Sequence, residues 1–112
     1  MLIQNLQVDI TPIAEPRGRI LHFHGPLVIS NLQAFRAALR RDYALFTILD
    51  LTDVPFMDST GLGEIINFYT LCQRSNGRLV LAAPSPRVAD LLHMTRVDTL
   101  LNIAPNIDAA KA

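Results

Sequence analysis

This 112-residue sequence has little cysteine, no excess of charge of one sign and few long apolar runs. A single cysteine, Cys72, excludes an internal disulfide and a cysteine-based metal cage, and this usage favours a cytoplasmic location. The ten basic and ten acidic side chains cancel, whereas direct nucleic-acid binding normally needs a basic excess. No apolar run approaches the roughly 18 residues of a membrane span, and the first residues lack the pattern of a signal peptide. We expect no direct nucleic-acid partner and no membrane insertion.

The order of local patterns predicts an α/β fold. Half of the residues are apolar, enough for one domain over residues 1–112 with a single core. Two extended runs, Gln7–Ile13 and Ile20–His24, flank a reversal that contains proline and glycine, which predicts an N-terminal hairpin. A helical period follows from Ser30, where Ser30 or Asn31 is the expected cap.

The second half alternates strands and helices. Apolar runs at 44–51 and 79–83 predict strands covered on both faces. The stretch after Gly61 predicts a helix, closed by Asn76-Gly77, that buries one face; this face carries Leu62, Ile65, Ile66, Tyr69 and Cys72. A third helix around 88–92, a short strand at 100–103 and a frayed helix at 107–112 complete the chain. We predict a small mixed, mostly parallel sheet with helices packed on it.

The most informative segment is Phe56-Met57-Asp58-Ser59-Thr60-Gly61-Leu62-Gly63, between the loop 52–55 and the central helix. Each glycine in a helix costs about 1 kcal/mol relative to alanine, so the two glycines indicate a need for bare backbone. A hydroxyl at a helix start can cap free N–H groups, and a phosphate there is favoured by the helix dipole. The segment predicts a modifiable hydroxyl on an exposed helix N-terminus.

This segment resembles the signature of anti-sigma-factor antagonists, which belong to the STAS domain family. The resemblance covers nearly the whole chain, including the hairpin, the strand that ends at 50–54, Gly77 and the stretch 85–92. It implies that Ser59 is phosphorylated by a partner that is both anti-sigma factor and serine kinase, and that a serine phosphatase restores the hydroxyl. The unmodified form would bind the anti-sigma factor and free a sigma factor, and the phosphorylated form would let go.

The other residues of the turn have open roles. Ser59 could instead be only a helix cap, and Thr60 is either the cap or a secondary acceptor. Asp58 either orients the serine or ends the loop by an Asx-type hydrogen bond. A phosphate adds about −1.5 to −2 charges, and beside Asp58 and close to Glu64 it would create a negative spot that repels a partner.

We expect an exposed apolar surface around this turn to bind the partner; it comprises Phe56, Met57, Leu62, Pro26 and Leu27. The alternative is that these residues seal the end of the sheet. Many antagonists carry acidic residues at the positions of Pro26 and Val28, so this surface is more apolar and its partner could diverge from the usual one.

Enzyme chemistry is not expected. His22 and His24 lie two residues apart on one strand face, but no third metal ligand is evident. The serine lacks a hydrolase elbow, and no dinucleotide loop or phosphate-binding lysine motif is present, so no cofactor is expected. Arg36, Arg40 and Arg41 are interpreted as a solvated face, and Cys72 as an inert core residue. Two alternatives without a phosphorylation cycle remain, a STAS subunit of a lipid-transport ABC complex and a subunit of a sensory assembly.

Overall fold

A mixed sheet organises the fold. The structure is a computed structural model that describes residues 5–112. Within these residues five strands pair in sequence order: β1 Gln7–Ile13, β2 Gly18–His24, β3 Phe46–Asp53, β4 Arg78–Ala82 and β5 Asn102–Ala104. The pair β1–β2 is antiparallel and the other pairs are parallel. The predicted fold class, a mostly parallel sheet with an N-terminal hairpin, is confirmed.

The helices connect the parallel strands and close the chain. They are α1 Leu32–Arg40, α2 Ser59–Arg74, α3 Pro86–Met94 and α4 Ile107–Lys111, with short 3-10 turns at Ile29–Asn31 and Val97–Thr99. None of the helices in the described part of the chain is long and apolar enough to cross a bilayer.

Several element bounds differ from the sequence prediction by a few residues, and two of these differences lie near the turn before α2. The helix α1 begins only after the 3-10 turn, and the side chain of Asn31 donates to the carbonyl of Pro26 at 2.9 Å without capping α1. The strand β3 runs on to Asp53, so the predicted loop 52–55 is shorter. The longer β3 arises from its pairing with β2, in which Asp53 lies opposite His24.

The sheet separates two apolar clusters. The larger cluster packs α1, α2 and α3 on one face and includes Leu21, Phe35, Leu49, Ile65 and Leu92. The smaller one lies under α4 on the opposite face and includes Ile20, Ile48, Val80, Ala104 and Ala110. Adjacent residues such as Ile48 and Leu49 enter opposite clusters because successive strand side chains alternate.

The buried face of α2 is rotated from the predicted one. Phe68 is fully buried, whereas Ile66 and Tyr69 are half-buried and pack against the edge of the larger apolar cluster, so the prediction for these two is confirmed in part. The phenol of Tyr69 keeps its oxygen at the surface, where it accepts a hydrogen bond from Gln73. Phe68, the preceding residue, has no polar side-chain atom that needs a hydrogen bond, so its ring can be fully buried. Cys72 is buried as predicted.

Candidate functional site

Two neighbouring segments at the C-terminal end of the sheet hold the turn that precedes α2. Gly25 N–H donates to the Asp53 carbonyl at 3.1 Å, and Leu27 N–H donates to the Phe56 carbonyl at 3.2 Å. Asp58 N–H returns to the Leu27 carbonyl at 3.2 Å. These bonds extend the parallel pairing of β2 and β3 beyond the ends of the strands. The position of the turn is therefore fixed by backbone pairing.

Asp58 is the N-cap of α2. Its Oδ1 accepts from Gly61 N–H at 3.0 Å, and its Oδ2 accepts from Ile29 N–H at 3.1 Å. Of the two roles predicted for Asp58, the structure bears out the Asx-type hydrogen bond. The interpretation of Ser59 or Thr60 as the cap is wrong, since the N-cap is Asp58, whose carboxylate accepts the Gly61 N–H of the first turn.

Ser59 is the first residue of α2 and is exposed, as the sequence predicts, while Thr60 is half-buried. The Ser59 hydroxyl has no hydrogen-bond partner among residues 5–112. The helix N-terminus beside it favours added negative charge. The Ser59 hydroxyl is therefore exposed and unengaged at a helix N-terminus, where negative charge is favoured.

The two glycines of the turn differ in their surroundings. A Cβ on Gly61 would collide with the Leu27 carbonyl oxygen, so this position requires bare backbone. A Cβ on Gly63 would meet nothing within 4 Å. The expectation that both positions need glycine is confirmed for Gly61 and wrong for Gly63 within the described residues.

Glu64 is neutralised by two arginines of α1. It is 2% exposed, and its carboxylate accepts from Arg36 Nε and Arg40 Nη1, each at 2.9 Å. Glu64 therefore does not contribute to the negative spot predicted for a phosphate on Ser59, and Asp58 is the carboxylate that remains beside this serine. Arg36, Arg40 and Arg41 are all exposed, as the interpretation of a solvated face expects, and Arg36 and Arg40 are in addition ion-paired with Glu64.

Comparison with known proteins places the chain in a family. The family model described as STAS domain matches residues 7–110. The chain belongs to the STAS domain family. It is 32% identical over 107 residues to an anti-sigma F factor antagonist of Paenibacillus polymyxa, which covers 91% of this chain and 89% of that protein. It is 34% identical over 55 residues to an anti-sigma-B factor antagonist of Listeria monocytogenes, covering 49% of this chain and 48% of the relative.

Solved structures agree with the fold of this STAS domain. A Thermotoga maritima protein, assigned by inference as an anti-sigma factor antagonist, superposes with a TM-score of 0.83 at 26% identity, over 92% of this chain and 90% of the other. An anti-sigma factor antagonist in its unphosphorylated form gives a TM-score of 0.65 at 19% identity, over 90% and 89% of the two chains.

The apolar residues around the turn are mostly inside this STAS domain. Pro26, Leu27, Met57 and Leu62 are buried, and Phe56 is half-buried. The prediction that they form an exposed surface is wrong for the four buried residues. Pro26, Leu27 and Met57 lie in the paired segments 25–28 and 53–58, and Leu62 packs in the larger apolar cluster from α2. The alternative, that such residues seal the end of the sheet, holds for these four.

The exposed apolar side chains near the turn are ones that sequence reasoning missed. Ile29 is 69% exposed and lies beside Asp58, to which its N–H donates. On the other side Met94 is 80% exposed, and the guanidinium of Arg87 lies 4.9 Å from the ring centroid of Phe56. Ile29 and Met94 lie at the ends of elements, where hydrophobic periodicity does not show whether a side chain is exposed or buried.

The histidines of β2 form a polar row on the sheet face that α4 leaves open. His22 Nδ1 lies 2.7 Å from Asp50 Oδ2 and its Nε2 lies 3.0 Å from Thr11 Oγ1. His24 lies 3.0 Å from both Asp53 and Asp9. No group among residues 5–112 is arranged to hold a metal ion. Burial of Asp50 favours its protonated form, but hydrogen bonds from Thr52 and His22 outweigh this and lower its pKa.

Proposed function

We propose that this STAS domain is an anti-sigma-factor antagonist that is switched by phosphorylation of Ser59. The unphosphorylated form binds an anti-sigma factor, which releases a sigma factor for transcription. The names of the Paenibacillus and Listeria relatives support the antagonist role. The single observation that supports the switch is the exposed Ser59, whose hydroxyl is unengaged beside a helix cap already supplied by Asp58.

The geometry explains how a phosphate would act without refolding the domain. Phosphorylation adds a charge of about −1.5 to −2 at the surface. The N-terminus of α2 favours negative charge there. Neither the Asp58 cap nor the contact between Gly61 and Leu27 uses the Ser59 hydroxyl, so neither has to break. The phosphate would stand beside the Asp58 carboxylate and the exposed Ile29. A partner that desolvates this area is repelled by the added charge.

The anti-sigma factor is itself the serine kinase in this proposal, and a serine phosphatase resets the protein in the cytoplasm. A kinase that is also the binding target must cover Ser59 to modify it, so the phosphate is created inside the interface. Phosphorylation by the partner then ends its own complex. This arrangement requires only that Ser59 be exposed before binding, as it is in the free protein.

The experiment mixes the purified domain with each anti-sigma factor encoded in the source genome, with and without ATP and magnesium. We expect one of them to bind the unmodified domain, to add a single phosphate to the peptide that contains Ser59, and to bind the phosphorylated domain at least tenfold more weakly. Mass spectrometry locates the phosphate, and calorimetry measures both affinities. Failure of every anti-sigma factor to bind would reject the antagonist role, and binding without phosphate transfer would reject the kinase step.

A further inference from the structure

A shallow groove runs beside the turn, between the segment that leads into it and α3. We call it the α3 groove. Its volume is about 280 Å³, below the roughly 300–1,000 Å³ of small-molecule sites. It is lined by Phe56, Met57, Arg87, Asp90, Leu91 and Met94. A groove of this size suits one or two apolar side chains of another protein better than a free ligand.

The charges of the groove are asymmetric. The Arg87 guanidinium is engaged with the face of the Phe56 ring. Asp90 has neither an ion-pair nor a hydrogen-bond partner in the part of the chain that the structure describes. Asp90 and Met94 are four residues apart on α3 and therefore share one face of it. The groove thus presents an unpaired carboxylate next to a flexible, exposed thioether.

One edge of the short extended segment in the groove is already occupied by backbone pairing. The segment 56–58 directs its hydrogen bonds to Leu27, which accepts from Asp58 N–H and donates to the Phe56 carbonyl. The other wall is a helix. What remains for a partner is a set of side chains at helical spacing, which an amphipathic helix can match with one apolar and one basic residue a turn apart.

We infer that the α3 groove docks an amphipathic helix of the anti-sigma factor, whose apolar residue packs on Met94, Leu91 and Phe56 and whose basic residue pairs with Asp90. This inference rests on the proposed antagonist function and adds the surface and its chemistry. The groove begins at Phe56 and Met57, which lie three and two residues before Ser59 along the chain. A helix seated there lies next to the Ser59 hydroxyl, so the docking contact and the switch form one continuous interface.

The test uses the full chain and the anti-sigma factor that binds the wild type, with affinities measured by calorimetry. We expect Met94→Glu and Asp90→Arg each to weaken binding at least tenfold while leaving the thermal midpoint unchanged. The matched control is Leu45→Glu, because Leu45 is 56% exposed at the opposite end of the sheet; its affinity should stay within twofold of the wild type. A lysine or arginine of the partner helix changed to glutamate should restore binding to Asp90→Arg while weakening binding to the wild type.

The outcomes separate this inference from the function on which it rests. If Ser59→Asp weakens binding but Met94→Glu and Asp90→Arg bind as the wild type does, the groove is wrong and the antagonist function stands. If the groove variants weaken binding and Leu45→Glu weakens it equally, the effect is general and the groove is again wrong. If no anti-sigma factor binds the wild-type domain, the antagonist function and the groove are both overturned.

Discussion

The carbonyl oxygen of Leu27 occupies the space that a side chain on Gly61 would need. The same oxygen accepts the N–H of Asp58 at 3.2 Å, so Leu27 cannot withdraw without breaking the pairing that positions the turn. The first turn of α2 is thereby held against the segment that follows β2. This contact sets where Ser59 emerges at the surface.

The two glycines of α2 provide the first prediction. Gly61→Ala should lower the free energy of unfolding by about 1–3 kcal/mol, the usual range for overpacking, because the obstructing atom is backbone. Gly63→Ala is the matched control, since its Cβ enters open space, and it should raise stability by up to about 1 kcal/mol. Urea unfolding measures both. Equal effects of the two changes would contradict the role assigned to the Leu27 carbonyl.

The burial of Leu62 provides the second prediction, which reverses the expectation from sequence. Leu62 is 7% exposed, so Leu62→Glu should destabilise the domain by about 3 kcal/mol or more, since it removes apolar contacts and buries a charge. Leu71→Glu is the control on the same helix, where the side chain is exposed; it should change stability by no more than about 0.5 kcal/mol. A thermal midpoint of Leu62→Glu equal to that of the wild type would show that Leu62 lies on the exposed surface.

The third prediction concerns acid stability and Asp50. The folded protein holds the pKa of Asp50 below its ordinary value of 3.8. A lowered pKa contributes stability above the ordinary value, and this contribution is lost as the pH falls through the lowered one. The free energy of unfolding should therefore fall more between about pH 5 and about pH 2 in the wild type than in Asp50→Asn.

A second variant makes the acid prediction specific. Thr52 Oγ1 donates to Asp50 Oδ1 at 2.6 Å, so Thr52→Val should move the profile part of the way toward that of Asp50→Asn. Guanidinium unfolding at a series of pH values gives the three curves. Identical slopes for all three proteins would show that Asp50 does not stabilise the fold through its ionised form.

The sequence predicts elements better than it predicts the roles of residues within the turn. The hairpin, the buried strand β3 and the helix α2 follow from local periodicity, and these predictions are confirmed. The position of Asp58 depends on the pairing of 25–28 with 53–58, a contact between residues about thirty positions apart, and the burial of Leu62 depends on how α2 packs in the larger cluster. No local pattern shows these contacts. Local patterns therefore assign the helix cap to Ser59 or Thr60 and place Leu62 at the surface.

The ion pairs of Glu64 could not be predicted from the sequence either. Glu64 follows the glycines and looks like a surface acid, yet α1 supplies Arg36 and Arg40 to it across the interface between the two helices. The 3.6-residue period shows which face of its own helix each of Arg36, Arg40 and Glu64 occupies. It does not show that these faces of α1 and α2 contact each other. The spacing of four between the arginines, which puts both on one face of α1, was a signal for a shared acidic partner.

The last prediction is an affinity and stability series on the turn itself. Ser59→Ala should remove phosphorylation and keep the binding-competent state. It should cost little stability, since the cap hydrogen bond belongs to Asp58. Asp58→Ala is the contrasting variant, and it should cost about 0.5–2 kcal/mol as the loss of an N-cap. Thr60→Ala should leave phosphorylation largely intact. Thermal unfolding and phosphate transfer from ATP by the anti-sigma factor measure these outcomes.

Ser59→Asp completes the series, because it adds charge at the surface without a kinase. It should weaken the complex by about 1–3 kcal/mol if the charge meets a desolvated partner surface. The loss should be incomplete, since aspartate carries less charge than phosphate and offers two acceptor oxygens in place of three. Stoichiometrically phosphorylated wild type should therefore bind more weakly than Ser59→Asp. Binding of Ser59→Asp as tight as that of Ser59→Ala, with no label on Ser59, would mean that charge at this helix start does not control the partner.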